Sequence, residues 1–266
     1  MTARQSAIRV LTCNVQRANV SRTGQQAAWL TNAGADVLVL TEVSAERSGD
    51  LLARLLVDDG YQVVLPEPSA SDRYRVLVGC RDGVPNGVDI GVGPMGHRCV
   101  AARIVFGSSE IGVIGLYVPS RGSKERRNQD KRAFQDRVAA VLPNVQRVLD
   151  VQGPVVIVGD LNVVEPNHDP RYAVFGRWEY DFYRAFIRAG FDDAFRLKEP
   201  SKIDYSWFGR PSAEGKRNGY RFDHAFVDRA HRSAVAECRY DHSVRTAGLT
   251  DHAALAVTLE TPDRVV

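Results

Sequence analysis

The run VVIVGDLNVV, residues 155–164, carries an aliphatic segment straight into a glycine, a carboxylate and an amide. Asp160 and Asn162 are thereby delivered to one spot at the end of a buried-looking strand. Two other runs finish in the same way, IRVLTCN on Asn14 and DVLVLTE on Glu42. Each one alone reads as a turn or a helix N-cap, where Asp and Asn are the commonest residues. If the strands are neighbours in a sheet, their oxygens gather in one place. Grouped, mostly buried carboxylates repel one another unless a cation neutralises them. Oxygen ligands without paired histidines or cysteines suit Mg²⁺ or Mn²⁺ better than zinc.

The C-terminal part adds histidine. In GYRFDHAFVD, Asp223 lies among apolar strand residues, and in LTDHAALAVTL, Asp251 and His252 stand just before a final apolar run. A charge buried at Asp223 needs a partner. His252 fits, since a carboxylate fixes the ring's tautomer and stabilises its charged form. Arg221 and Arg245 are equal alternatives, and TDH by itself is an ordinary strand-entry turn.

The elements that must position these groups are read from periodicity and turn residues. Strands are expected at 8–13, 37–41, 61–65, 76–79, 88–92, 101–106, 111–118, 155–159, 204–208, 222–227, 235–239 and 254–259. Helices are expected at 25–32, 49–56, 124–142 and 178–188. Strands rich in Val, Ile and Leu suit sheets covered on both faces. Many strands with few helices between them point to stacked sheets flanked by helices. No repeat, low-complexity tract or linker divides the 266 residues, so one domain over 1–266 is expected.

Composition narrows the function classes. With 44% hydrophobic and 25% charged residues the chain reads as soluble and globular. No apolar window is long enough for a membrane span, and MTARQSAIRVLTCN lacks the core and cleavage site of a secretory signal. Cys13, Cys80, Cys99 and Cys238 are scattered, which argues against zinc and fits reduced thiols in a cytoplasm. A net charge of +3 permits a polyanionic partner without requiring one. The chain contains no phosphate-binding G-x-x-x-x-G-K-[ST] and no G-x-S-x-G elbow, and its one G-x-G-x-x-G, GVGPMG at 91–96, lies in a glycine- and proline-rich stretch that reads as turns around a short strand and opens no expected helix.

Taken together, LTCNVQ, DVLVLTEV, IGLYVPSRG, GDLNVV, DYSWFG, GYRFDHAFV and TDHAAL occur in the order of the endonuclease/exonuclease/phosphatase superfamily, which the chain resembles over nearly its whole length. GDLN is the most specific of these pieces. The motifs are nearest those of exonuclease III and the abasic-site endonucleases. The resemblance implies an α/β (α+β) fold, a four-layer sandwich of two mixed β-sheets packed face to face with helices outside. It implies Glu42 as the principal Mg²⁺ ligand, with Mn²⁺ as a substitute, and Asn14 beside the metal and phosphate. Asp160 would orient and deprotonate the attacking water, and Asn162 would help to hold it. Tyr117 would contact the scissile phosphate. His252, oriented by Asp223, would stabilise charge on the phosphate, and Asp251 would bind or support metal.

The same resemblance implies DNA as the substrate, in a repair setting, for an enzyme acting as a monomer without a membrane or an obligate protein partner. Trp207, Tyr220 and Phe222 would line a pocket for a sugar lacking its base, although strand aromatics of this kind are equally core residues. Asp169 stands where that branch carries an acid near the DNA. Arg121, Lys124, Arg126, Arg127, Lys131 and Arg132 either track a phosphate backbone or form a solvated helix face. Departures bear on the substrate: Ser44 replaces a frequent lysine, Gln16 stands where some relatives carry an acid that assists the metal, and Asp89 replaces a small or apolar residue. The expected function is a Mg²⁺-dependent DNA phosphodiesterase, an abasic-site endonuclease, a 3′→5′ exonuclease or both. The alternatives are a relative acting on RNA or on a small or lipid phosphoester, and a catalytically silent nucleic-acid-binding module.

Overall fold

In the computed structural model, which describes residues 6–122, 125–172 and 174–261, twelve of the strands form two six-stranded sheets. The first runs in the order β13 (Val235–Asp241), β14 (Ala254–Thr261), β1 (Ser6–Asn14), β2 (Val37–Ser44), β4 (Tyr74–Arg81), β3 (Tyr61–Val64). The second runs β5 (Val84–Val88), β6 (Cys99–Phe106), β7 (Ser109–Tyr117), β8 (Val155–Asp160), β12 (Asp223–Asp228), β9 (Phe191–Asp193). Both sheets are mixed, with β1–β2 and β7–β8 the parallel pairs.

Alternation along the strands shows why both faces are apolar. Ile8, Val10, Val37 and Val39 of the first sheet pack against Val113, Val156, Val158 and Ala225 of the second. Their sequence neighbours point outward: Leu11, Leu38 and Leu40 meet Ala27, Leu30, Leu52 and Leu56 of α1 (Val20–Asn32) and α2 (Arg47–Asp58). On the other side Ile114, Leu116 and Ile157 meet Phe134, Val138, Phe182 and Phe186 of α3 (Glu125–Val141) and α5 (Arg177–Arg188). Fully burying such a side chain contributes about 1.5–3 kcal/mol, so four layers follow from strands that are hydrophobic at every position. The sheets approach closely at Gly115, where a Cβ would stand 2.7 Å from side-chain carbons of both Val39 and Val76.

The expected sandwich is the observed one, with local differences. The strand expected at 88–92 lies earlier, at β5, an edge strand that tolerates Pro85. Ile90 and Val92 are buried from a loop, and Asp89 turns it by accepting the Gly91 amide at 2.8 Å. Of 204–208 only Trp207–Phe208 is a strand, β10, paired with β11 (Gly219–Tyr220) in a small ribbon. Helix α1 begins at Val20 because Asn19 caps it, its Oδ1 accepting the Arg22 amide at 2.9 Å. The short helices α4 (Val145–Leu149), α6 (Ala194–Lys198) and α7 (Ser243–Thr246) and strand β9 were beyond the periodicity signal. All four cysteines are buried thiols. Among the described residues no helix is long and apolar enough to cross a membrane.

Candidate active site

The carboxylates and amides singled out in the sequence meet where the two sheets present the ends of their central strands. In the parallel β7–β8 register Tyr117 is level with Asp160, and in the antiparallel β8–β12 register Asp223 is opposite Asp160. From the first sheet come Asn14, at the end of β1, and Glu42. A register shift in β2 between Leu40 and Val43, with Glu42 at φ 53°, turns that side chain out of the strand's alternation and into the cleft. The glycine of GDLN has a plain reason. Gly159 sits at φ 141°, and a Cβ there would stand 2.1 Å from the Leu116 carbonyl oxygen.

Asn14 joins the halves. Its Nδ2 donates to Glu42 Oε1 at 3.1 Å and to Asp160 Oδ2 at 2.9 Å, although it is itself completely buried. Glu42 Oε1 also accepts the Tyr117 hydroxyl at 2.8 Å. Asn162, at φ 48°, donates its amide N–H to Asp160 Oδ1 at 2.9 Å and its side-chain Nδ2 to the Val118 carbonyl at 2.9 Å. Asp223 Oδ2 lies 2.7 Å from His252 Nδ1, while Asp223 Oδ1 is buried without a hydrogen-bond partner. Thr250 ties the TDH turn to β1 through a 2.6 Å bond to the Asn14 carbonyl. Asp251 is accessible and accepts the Trp207 indole N–H at 2.9 Å. Arg221 does not pair with Asp223; it bonds Glu165 and Asp193 at 2.9 and 2.8 Å.

Electrostatics follow from this crowding. Burial pushes the Asp160 carboxyl up to about 8, and the Asp223 and Glu42 charges add to it while His252 opposes them. Burial works against a charged His252 ring, but the Asp223 carboxylate outweighs it, helped by Asp160 and Asp251, and the pKa is pushed up to about 10. Tyr117 is raised well above the ordinary phenol value by burial and by Glu42 and Asp160, so it remains a donor.

The donor set fits a hard divalent cation. Glu42 and Asp160 both lie about 3 Å from one amide nitrogen, and the carboxylates around them exceed the positive charge that His252 supplies. Among the described residues, one ligand atom each of Asp160, Asp223 and His252 lie within 4.8 Å of one another. Asp223 already holds His252 Nδ1, while Glu42, Asp160 and Asp251 all line the cleft above them.

A cleft of about 310 Å³ opens over these groups, lined by Gln16, Glu42, Asp160, Asn162, Asp251 and His252 together with Arg121, Tyr172, Phe175, Trp207 and Phe222. Tyr220 is not in the wall. It is buried behind Phe222, ring centroids 5.6 Å apart and nearly parallel. Asp169 is also elsewhere, exposed at a separate cavity of about 470 Å³ with Glu165, His168 and Tyr205.

The basic run divides. Arg121 reaches the cleft, Arg132 is exposed, and Lys124 and the side chains of Arg126 and Arg127 lie outside the described residues. Lys131 belongs neither to a phosphate track nor to a solvated face. It is fully buried, with Nζ donating to Glu179 at 2.8 Å and to the Asn162 carbonyl at 3.0 Å. The other oxygen of Glu179 holds Arg121. Sequence reasoning passed over Glu179, Tyr172 and Phe175. The only local signal was the helical spacing that sets Glu179 at the third position of α5, where it accepts the Gly176 amide at 2.8 Å. Arg98 was also passed over. It stacks 4.6 Å from the Tyr117 ring centre and is gripped through two nitrogens by Asp72.

The family model described as Endonuclease/Exonuclease/phosphatase family matches residues 11–252. A protein of Bacillus subtilis (strain 168) named exodeoxyribonuclease is 26% identical over 162 residues, 58% of this chain and 63% of that protein. The match thus spans less than two thirds of that relative's length. An AP endonuclease structure from Archaeoglobus fulgidus superposes with a TM-score of 0.78 at 23% identity, covering 96% of this chain and 100% of that one. A structure described as the 3′ phosphatase NExo from Neisseria, bound to a product DNA hairpin, gives 0.77 at 20% identity with the same coverage of 96% and 100%. At these identities the structural likenesses establish the shared fold.

Proposed function

The chain belongs to the Endonuclease/Exonuclease/phosphatase family, and from that premise we propose that it hydrolyses phosphodiesters of DNA with the help of Mg²⁺, as an abasic-site endonuclease, a 3′→5′ exonuclease or both. The observation that carries the reading is Asn14 Nδ2, which binds Glu42 and Asp160 together beside the His252–Asp223 pair. The product-bound hairpin of the Neisseria protein and the name of the Bacillus relative support DNA as the substrate.

A phosphodiester is anionic and repels hydroxide, so the site has to supply positive charge and a placed nucleophile. Glu42 and Asp160, with Asp251 beside them, would hold Mg²⁺, which would supply Lewis-acid charge to the phosphate. Asp160 accepts the proton of the attacking water as general base. Asn162 fixes that carboxylate through its amide N–H. His252, kept charged by Asp223, donates toward the phosphate oxygen as negative charge develops there. Tyr117 and Asn14 fix Glu42 in place. Arg121 offers a guanidinium to the substrate, and Trp207 and Phe222 offer ring faces to a sugar or an unstacked base.

The test is cleavage in Mg²⁺ of duplex DNA with and without an abasic site, single-stranded DNA, RNA and a soluble phosphomonoester, each with a chelator control. Chelator-sensitive cleavage of DNA is the expected result. Hydrolysis of the phosphomonoester alone would overturn the reading, and equal cutting of RNA would remove the assignment to DNA.

A further inference from the structure

Gln16 lines the cleft. It is half-buried, at φ 52°, in the turn that follows β1, and its backbone is held by Asn14 Oδ1, which accepts the Gln16 amide at 2.8 Å. Arg22, on the first turn of α1, reaches back to it with two nitrogens. Nη1 donates to Gln16 Oε1 at 3.0 Å and Nη2 to the Gln16 carbonyl at 2.7 Å.

This contact fixes which end of the carboxamide is which. A guanidinium carries only donors, so the side-chain atom facing Arg22 has to be oxygen. Nε2, on the other branch of the same planar carbon, is then turned away from Arg22. Among the described residues Nε2 donates to nothing, and the cleft is the space Gln16 borders. The amide is backed by a cation whose charge adds to its N–H dipoles. A carboxylate in the same place would present an acceptor and a negative charge.

We propose that Gln16 Nε2 donates a hydrogen bond to a non-bridging phosphate oxygen of the DNA strand lying in the cleft, and that Arg22 is the positioning residue that keeps the amide in this orientation. The inference rests on the proposed function, because it needs DNA in that cleft. It adds a neutral phosphate contact to the cleft that Arg121 also lines.

The experiment measures binding of a labelled abasic duplex in chelator, by fluorescence anisotropy, together with kcat and KM in Mg²⁺, for wild type, Gln16→Met, Gln16→Glu, Arg22→Met and the Gln16→Met/Arg22→Met double variant. Gln16→Met should weaken binding and raise KM about 3- to 10-fold, the loss of one neutral hydrogen bond. Gln16→Glu keeps the shape and gains an ion pair to Arg22, so it should melt no lower than wild type. It should nonetheless bind DNA more weakly than Gln16→Met, by a margin that shrinks as salt is raised. Arg22→Met should act in the same direction as Gln16→Met, and the double variant should be no worse than Gln16→Met alone. Wild-type affinity and KM in Gln16→Glu, or additive losses in the double variant, would overturn the proposal. If wild type itself neither binds nor cleaves DNA, the proposed function fails and this contact fails with it. If wild type cleaves DNA and Gln16→Met is indistinguishable from it, only the contact fails.

Discussion

Asp160 and Asp223 stand directly opposite each other in the β8–β12 register, so two buried carboxylates are neighbours by the pairing of their strands. Like charges facing across a strand pair are destabilising. The arrangement persists because His252 lies 2.7 Å from Asp223, and it keeps Asp160 short of positive charge, which is the condition for capturing a cation.

Removing the Asp223 charge should therefore be read at His252. The ring's charged form is present below its pKa, which Asp223 supports at about 10 against the pull of burial. In Asp223→Asn the folded-state pKa falls, so activity that needs the charged ring is lost at lower pH than in wild type. Histidine NMR titration and a pH–rate profile should show the same downward shift. An unchanged alkaline limb would separate His252 from the chemistry.

Asp160→Asn and His252→Ala should each lower turnover by on the order of 10²–10⁴-fold, as for a general acid or base, while the fold is retained. The double variant should be little worse than either one, because the two groups serve one transition state. Circular dichroism and melting establish the fold, and near-wild-type rates in either variant would dispose of its role.

Lys131 connects the buried Glu179 to the Asn162 carbonyl, and Asn162 in turn holds Asp160. Lys131→Met leaves Glu179 with Arg121 as its remaining cation, a loss of about 1.5–3 kcal/mol for one hydrogen bond between charged groups. Adding Glu179→Gln should recover part of that stability. Because Asn162 is displaced rather than removed, kcat should fall while KM stays near wild type. A lowered melting temperature with normal kcat would make Lys131 a packing residue only.

A second buried network should shape acid stability. Glu165 is held down at about 2: burial raises its pKa, and the hydrogen bonds and charges of Arg196 and Arg221 more than reverse that. The stabilisation is fully present above the ordinary glutamate value of 4.5 and is lost as the pH falls from there through about 2. Between those limits wild type should lose on the order of 3 kcal/mol from this group. Glu165→Gln should flatten that part of the stability curve in denaturant melts taken against pH.

The parts of the site that lie on regular strands were legible in the sequence. Asn14, Asp160 and Asp223 each end or begin an apolar run, and strand pairing brings such ends together. The four-layer sandwich was legible for the same reason, since strands apolar at every position need cover on two faces. What lay hidden depends on contacts far apart in the chain. Lys131 sits in a run of charges and looks solvated, and only the packing of α3 on α5 shows it buried against Glu179. Tyr172 and Phe175 reach the cleft from a loop that has no period to read. Tyr220 and Asp169 were placed at the site by resemblance, but the β10–β11 ribbon sets Tyr220 behind Phe222, and the loop after Asn162 carries Asp169 to a different cavity.

The most direct test is the Mg²⁺ dependence of single-turnover cleavage of a duplex containing one abasic site, measured for wild type and Glu42→Gln. A cation seated between Glu42 and Asp160 predicts no cleavage in chelator, saturation with Mg²⁺ in wild type, and a midpoint displaced at least about 10-fold upward in Glu42→Gln. Cleavage that survives chelation, or a Glu42→Gln midpoint equal to that of wild type, would contradict it.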